Sequence, residues 1–332
     1  VSARAFWTIA PGSGELRAET LPAPGEGEAT VRTLASGISR GTESLVFAGR
    51  VPASQHAAMR CPFQAGAFPF PVKYGYSAVG VVEAGPAALL GRRVFCLHPH
   101  QDRFVAPVAM LHPVPDGVPT RRAVLAANME TALNIAWDAA ALPGERVLVI
   151  GAGVVGLLAA HLLARVPGVT LTVVDRDPAK AAAAAALGLA FAAPADAPAE
   201  AELVVHASGA PEGLALALDR AAFEARIVEA SWFGDRAVPL PLGEAFHSRR
   251  LRLISSQVGA VAAPMRARRS HPERLALALA LLDEARLDAL LEGPTPFEDL
   301  PATMARLAAS PGALCHVVSY DPSVREEPAC SA

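Results

Sequence analysis

The chain has 332 residues, of which 52% are hydrophobic and 18% charged: enough to bury a sizeable core, and too many for one average domain. Lys and Arg total 29 against 32 Asp and Glu, a net charge of −3 that excludes the basic excess of a nucleic-acid binder. The four cysteines, Cys61, Cys96, Cys315 and Cys330, form no C-x-x-C pair, so neither a secreted disulfide framework nor a zinc ribbon is expected.

The stretch from Val1 to Trp7 runs quickly into Gly12-Ser13-Gly14-Glu15 rather than into the apolar core of a signal peptide. The longest apolar run, residues 147–160, falls short of the roughly 18 residues a membrane span needs. The expectation is a soluble, cytoplasmic protein with no membrane span and no nucleic-acid partner.

Up to about residue 115 the pattern is all-β. Short apolar segments at 5–9, 29–34, 78–83 and 93–97 are divided by Pro11-Gly12, Pro24-Gly25 and Gly85-Pro86, which reads as a barrel-like domain. Residues 46–74 lack periodicity and hold Phe47, Phe63, Phe68 and Phe70, as in a binding wall or lid, or a surface excursion packed by its own aromatics.

From residue 123 strands and helices alternate: helices at 123–141, 154–164, 178–187 and 212–222, strands at 146–150, 169–174, 202–207, 226–230 and 252–258. That order calls for a parallel sheet covered by helices on both faces. Helices at 272–284 and 300–309 and a strand at 315–320 close the fold, and the tail from Glu326 looks frayed. The expected division is a β-rich domain at 1–126, a doubly wound dinucleotide-binding domain at 127–259, a return segment at 260–322 and a flexible tail at 323–332.

Gly151-Ala152-Gly153-Val154-Val155-Gly156 follows the strand at 146–150 and opens a helix. Gly151 allows the tight turn, Gly153 lets the backbone approach a pyrophosphate, Gly156 lets helix approach strand, and Val155 sits in the first helical turn. Free N–H groups at that helix start meet the phosphate charge. About 20 residues on, Asp175 ends the second strand, where a carboxylate accepts from ribose hydroxyls and repels a 2′-phosphate. NAD is the expected cofactor. Arg176 beside it leaves NADP open. Ser208-Gly209, after the strand at 202–207, falls on the side where such cofactors bind.

A β-rich half, a nucleotide-binding half and a return segment resemble the medium-chain dehydrogenase/reductase family over nearly the whole chain. Ser36-Gly37-Ile38-Ser39-Arg40-Gly41-Thr42-Glu43 is similar to that family's segment bearing the first zinc cysteine, Gly75-Tyr76-Ser77 to its Gly-His-Glu, and Gly91-Arg92-Arg93-Val94 to its Gly-Asp-Arg-Val turn. The resemblance implies a Rossmann sheet with a chaperonin-10-like β-barrel catalytic domain, a small-molecule substrate and a homodimer paired through 252–257. Within the family, SGISRGTESLVFAGRVP and GYSAVGVVEAG are most similar to the bacteriochlorophyllide dehydrogenase branch, and in part to zinc-free quinone reductases.

The departures are chemical. Ser39 stands at the zinc-cysteine position, Tyr76-Ser77 replace His-Glu, Ala127 takes the third ligand position, and the four-cysteine structural lobe is missing. Hydroxyls are poor ligands for Zn²⁺, so a zinc-free member is expected, with no metal ligands. Hydrogen-bond donors must then polarise the substrate oxygen. Tyr76 is the leading candidate, with an aromatic wall as the alternative, and Ser39 and Thr42 are further hydroxyl candidates. The resemblance implies that Arg40 holds the pyrophosphate. His98 and His100 follow the strand at 93–97; residues two apart on a strand share a face, so the two are candidates for a proton relay or a metal pair, with solvated loop histidines as the alternative.

The expected activity is an NAD(P)-dependent alcohol dehydrogenase-like oxidoreductase acting on a bulky, apolar secondary alcohol or ketone. The alternatives are C=C or quinone reduction and a nucleotide-binding redox sensor without turnover. Gly37-Ile38-Ser39-Arg40-Gly41 also satisfies the G-x-S-x-G of a hydrolase elbow, but in the β-rich part of the chain rather than in a parallel sheet.

Overall fold

The computed structural model describes residues 2–309 and 312–326. The chain divides into two units, residues 1–127 with 275–332, and residues 128–274. The segment 260–274, read from sequence as the start of the return, lies in the second unit. Arg274 ties it there: its guanidinium donates to Glu130 Oε1 at 3.0 Å, to Asn134 Oδ1 at 2.6 Å and to the Val258 and Ala260 carbonyls. Cys330 and most of the expected flexible tail lie outside the described residues; Ser323–Glu326 forms one short helix.

The first unit begins with strands β1 (Ser2–Ala10), β2 (Ser13–Thr20) and β3 (Glu28–Ile38), then helix α1 (Arg40–Phe47). Short strands β4 (Ala65–Gly66) and β5 (Val72–Lys73) precede β6 (Ala78–Ala84), β7 (Arg93–Cys96), β8 (Arg103–Pro107) and β9 (His112–Pro113), and a turn of helix, α2 (Thr120–Ala123), follows.

Helix α3 (Ala126–Ala139) leads into β10 (Arg146–Ile150), α4 (Val154–Leu163), β11 (Thr170–Val174), α5 (Lys180–Ala186), β12 (Ala190–Ala192), β13 (Ala201–His206), α6 (Pro211–Arg220), β14 (Ala221–Glu229) and β15 (Arg252–Ser255). The chain closes with α7 (His271–Ala280), β16 (Leu291–Pro296), α8 (Leu300–Ala309), β17 (Cys315–Ser319) and α9 (Ser323–Glu326).

In the first unit a seven-stranded sheet runs β16-β17-β3-β6-β7-β9, with β8 also on β3, beside a four-stranded sheet β2-β1-β5-β4. β3 is buried almost throughout because it pairs antiparallel with β17, β6 and β8, so the polar Thr30, Thr33 and Ser36 are buried along with its apolar residues. Val31, Val82, Val94, Cys96 and Phe104 fill the space inside these strands. Phe6, Ile38, Phe47, Phe297 and Leu300 form a second core. Phe47, read from sequence with the aromatic loop, is therefore a core residue at the end of α1.

The second unit is a six-stranded parallel sheet in the order β12-β11-β10-β13-β14-β15. Strand order reverses between β10 and β13, the point where such sheets take ligands at their carboxyl ends. Pro211 starts α6 in its first turn, and the chain leaves that helix at Ala221, which pairs with Ala201, so residues 221 and 222 are strand rather than the expected helix end. β15 is four residues long, shorter than the run expected at 252–258, and forms the sheet edge.

Candidate active site

Gly151 lies at φ +112°, open to glycine alone, and a Cβ there would sit 2.6 Å from Ser208 N. A Cβ on Gly156 would run into the Gly151 carbonyl, whereas at Gly153 nothing lies within 4 Å. Two glycines thus bring the β10–α4 turn hard against the β13 loop, and the third leaves open space over the helix start. Asp175, after β11, accepts from Ala152 N–H at 2.7 Å with one oxygen and from Asp177 N–H at 2.9 Å with the other. Its carboxylate is fixed at the rim of the turn with lone pairs left over. Val155 is half-buried in the first turn of α4, and Arg176 is exposed. A glycine cradle, open helical N–H groups and a fixed carboxylate suit a dinucleotide.

Across the groove floor, Ser208 is exposed and hydrogen-bonds His206 Nε2 at 2.6 Å, and the Gly209 N–H donates to Ser231 Oγ at 3.0 Å. The sequence marks Ser208 and Gly209 by position but gives no sign of the buried His206 behind them. His206 and its partner Glu229 lie on neighbouring parallel strands, 23 residues apart.

In the β-rich unit, Ser39 occupies the N-cap position of α1 without a side-chain capping bond, and Arg40 and Thr42 lie in its first turn. The Tyr76 hydroxyl is hydrogen-bonded to the Ser39 and Thr42 side chains. Burial pushes its pKa up, the nearby Glu43 carboxylate pushes it further, and those two hydrogen bonds pull it partly back. Tyr76 therefore stays a protonated donor at neutral pH. Tyr74 meets its ring edge-on, 6.0 Å between centroids. Ser77, at the family's Glu position, donates instead to the buried Val124 carbonyl, a bond internal to the unit.

Beneath this cluster, Glu43 is 3% exposed and reaches back with Oε1 to the Ser39 N–H at 2.7 Å. Its Oε2 pairs with His100 Nε2 at 2.8 Å, and His100 Nδ1 meets Ser36 Oγ at 2.7 Å. Ser36 Oγ lies 3.1 Å from the Tyr320 hydroxyl. Glu43 is the functional group that reading motifs by position passes over. Its signal is a carboxylate four residues after Ser39, in the first turn of α1.

His98 and His100 do not form the expected pair. The strand β7 ends at Cys96, and the two rings take different partners. His98 stacks on Phe104, 3.9 Å between centroids, and contacts Phe63 at 5.0 Å. Burial first, then Lys73 and His100, push its pKa down to about 3, so it is a neutral wall residue. Elsewhere in the loop, Phe68 packs on His56 and Tyr74, as in an excursion closed by its own aromatics.

At the positions where the resemblance places zinc ligands stand two hydroxyls and a methyl group, from Ser39, Tyr76 and Ala127. That donor set does not fit Zn²⁺. Among the described residues, no group of three or more His, Cys, Asp or Glu is placed to hold a metal ion. Nor is any described helix long and apolar enough to cross a membrane.

Residues 146–282 match the family model described as FAD dependent oxidoreductase. That stretch, under half of the chain, opens at β10 and contains the glycine turn and Asp175, features that FAD- and NAD-binding Rossmann sheets have in common. Among solved structures, a short chain alcohol dehydrogenase from Escherichia coli CFT073, complexed with NADH, is 16% identical with a TM-score of 0.76, over 96% of this chain and 99% of that one. L-idonate 5-dehydrogenase from Escherichia coli K-12 MG1655 is 14% identical with a TM-score of 0.79, over 96% and 99%. A thermostable alcohol dehydrogenase from Pyrobaculum aerophilum is 20% identical with a TM-score of 0.76, over 96% and 100%. At such identities the likeness is one of architecture: the chain has the fold of the medium-chain dehydrogenases, a Rossmann domain with a GroES-like β-rich domain.

Proposed function

We propose that this protein is an NAD(P)-dependent, zinc-independent oxidoreductase that moves hydride between the nicotinamide and a bulky, apolar secondary alcohol or ketone. The observation that carries the reading is Tyr76: a phenol held protonated, anchored by Ser39 and Thr42, at the position where the resemblance places a metal ligand. When bound, the nicotinamide supplies or accepts the hydride. The protein must orient the substrate carbon and stabilise charge on its oxygen. Tyr76 donates to that oxygen, and the Ser39 and Thr42 hydroxyls fix the direction of the phenolic O–H.

Asp175 holds the adenosine ribose, the β10–α4 turn takes the pyrophosphate, and Arg40 adds a second charge to it. Asp175 favours NAD over NADP. Pairing of two β15 edges, where Leu253 is 39% exposed, makes a homodimer.

The test joins elemental analysis with coenzyme titration and a panel of secondary alcohols, ketones, enones and quinones. The expected outcome is no stoichiometric zinc, NAD(H) binding, and turnover of ketones or alcohols that drops about 100-fold in Tyr76→Phe without loss of NADH affinity. Stoichiometric zinc, flavin binding in place of NAD(H), or a fully active Tyr76→Phe overturns the reading.

A further inference from the structure

Four side chains inside the β-rich unit stand in a line of hydrogen bonds that hydride transfer at Tyr76 leaves unused. Tyr320, just past β17, faces Ser36 of β3 at 3.1 Å between hydroxyl oxygens. Ser36 Oγ meets His100 Nδ1 at 2.7 Å, and His100 Nε2 meets Glu43 Oε2 at 2.8 Å. Ser36, His100 and Glu43 are at most 3% exposed, so bulk water does not compete for these bonds. Gly75, the residue before Tyr76, gives the line its room: it lies at φ +134°, and a Cβ there would sit 3.1 Å from the His100 ring.

The chemistry of the four groups fixes the direction of each hydrogen. A carboxylate can only accept, so beside Glu43 the imidazole carries its hydrogen on Nε2 and offers Nδ1 as an acceptor. Ser36 then donates to Nδ1, which leaves its oxygen to accept from the Tyr320 hydroxyl. Every donor points from Tyr320 toward Glu43. The line is a path already oriented for protons.

Each end meets a place where protons are handled. At the outer end Tyr320 lines an open polar pocket with Arg4, Arg32, Asp102, Phe297 and Glu298. Arg4 pairs there with Asp102 at 3.5 Å and with Glu298 at 2.8 Å, so two carboxylates stand at the mouth. At the inner end Glu43 Oε1 accepts the Ser39 N–H at 2.7 Å, and the Ser39 and Thr42 side chains hold the Tyr76 hydroxyl.

We propose that this line reloads Tyr76 with a proton after each ketone reduction; the proposal rests on the hydride-transfer reading made above. Hydride brings two electrons to the carbonyl carbon, and the Tyr76 O–H bond breaks to place its proton on the substrate oxygen. The phenolate regains a proton from the Ser39 or Thr42 hydroxyl, and that hydroxyl regains one from Glu43, which lets go of the Ser39 N–H to reach it. His100 supplies Glu43 from Nε2 as it takes the Ser36 proton on Nδ1. Tyr320 refills Ser36, the pocket refills Tyr320, and rotation of the hydroxyls and the ring restores the starting order. Each hop breaks one O–H or N–H bond and forms another, so the sum is one proton drawn from solvent. A bound substrate shuts water away from Tyr76 on its own side, which is what makes a supply from behind useful.

Stopped-flow kinetics of the intact protein, with NADH and the ketone of the panel that is turned over fastest, test this. Tyr320→Phe keeps the ring stacked on Phe297 and removes only the outermost hydroxyl. Because Tyr76 starts out protonated, the first turnover should run at the parent's rate. Later turnovers should slow about tenfold, with a solvent isotope effect in D₂O larger than the parent's. Ser36→Ala should show the same burst, and the double variant should lose no more than either alone, because the two act in series. Tyr320→Phe decides the matter if Ser36→Ala does not fold. An unchanged steady rate and solvent isotope effect in Tyr320→Phe overturns the proposal, as does a loss shared equally by first and later turnovers, which marks a structural role. Failure of the parent to reduce any ketone, or a fully active Tyr76→Phe, overturns the hydride-transfer reading and this path with it.

Discussion

His100 Nε2 and Glu43 Oε2 meet at 2.8 Å inside the β-rich unit, with 1% and 3% of their side chains exposed. The carboxylate also holds the Ser39 N–H at the start of α1, so one group joins a loop, a helix start and the hydroxyl cluster. Glu43→Ala strands both donors in a dry site and should lower stability by about 3 kcal/mol. Glu43→Gln keeps an acceptor and should lose less. Urea midpoints at constant m-value measure both.

The three glycines of the β10–α4 turn should separate folding from binding. Gly156→Ala forces a methyl group against the Gly151 carbonyl and should destabilise the second unit along with coenzyme binding. Gly153→Ala points into open space, so its melting temperature should stay near that of the parent while NADH affinity falls about tenfold. Thermal melts with and without NADH, beside fluorescence titration, distinguish the two.

Asp175 tests coenzyme choice. Asp175→Ala removes the charge that repels a 2′-phosphate, next to the exposed Arg176. NADPH affinity should rise relative to NADH by about tenfold or more. Loss of the Ala152 and Asp177 contacts should weaken both coenzymes somewhat, so the ratio is the quantity to read.

His98 should make the protein sensitive to acid. Its pKa falls from 6.5 to about 3 on folding, so between those values the unfolded chain binds a proton that the folded one refuses. Its contribution to stability is complete above pH 6.5 and fades as the pH drops toward 3, by up to about 4 kcal/mol. His98→Phe keeps a ring on Phe104 and loses this term. The difference between the two urea-stability curves should shrink from pH 7 to pH 4 in favour of the variant.

Much of the second unit was legible because its signals are local. The glycine turn sits between a strand and a helix, and Asp175 ends the next strand, all within one βαβ unit. The β-rich unit was legible in outline only. β2 alternates Glu15, Arg17 and Glu19 with only Leu16 and Ala18, and both its faces are partly exposed, so its strand signal is weak. β16 holds Pro294 and Pro296 and survives because it is a sheet edge, where missing N–H groups are tolerated. His98 and His100 were misread because the strand stops at Cys96, before its periodicity can apply to them. The pair His206–Glu229 is made by neighbouring strands, and Glu43–His100 joins a helix start to a loop 57 residues on; spacing along a chain encodes neither.

β3 takes β17 as a neighbour, Ser36 opposite Val318, so strands about 280 residues apart share one sheet. During synthesis the amino-terminal strands leave the ribosome long before the strand that completes them. The nucleotide unit, contiguous in sequence, has every one of its strands while that edge of β3 is still bare. Termination between Ser255 and Cys315 would therefore release a finished Rossmann sheet tethered to an open, adhesive one, and a nascent chain has reason to keep β3 shielded until β17 has emerged.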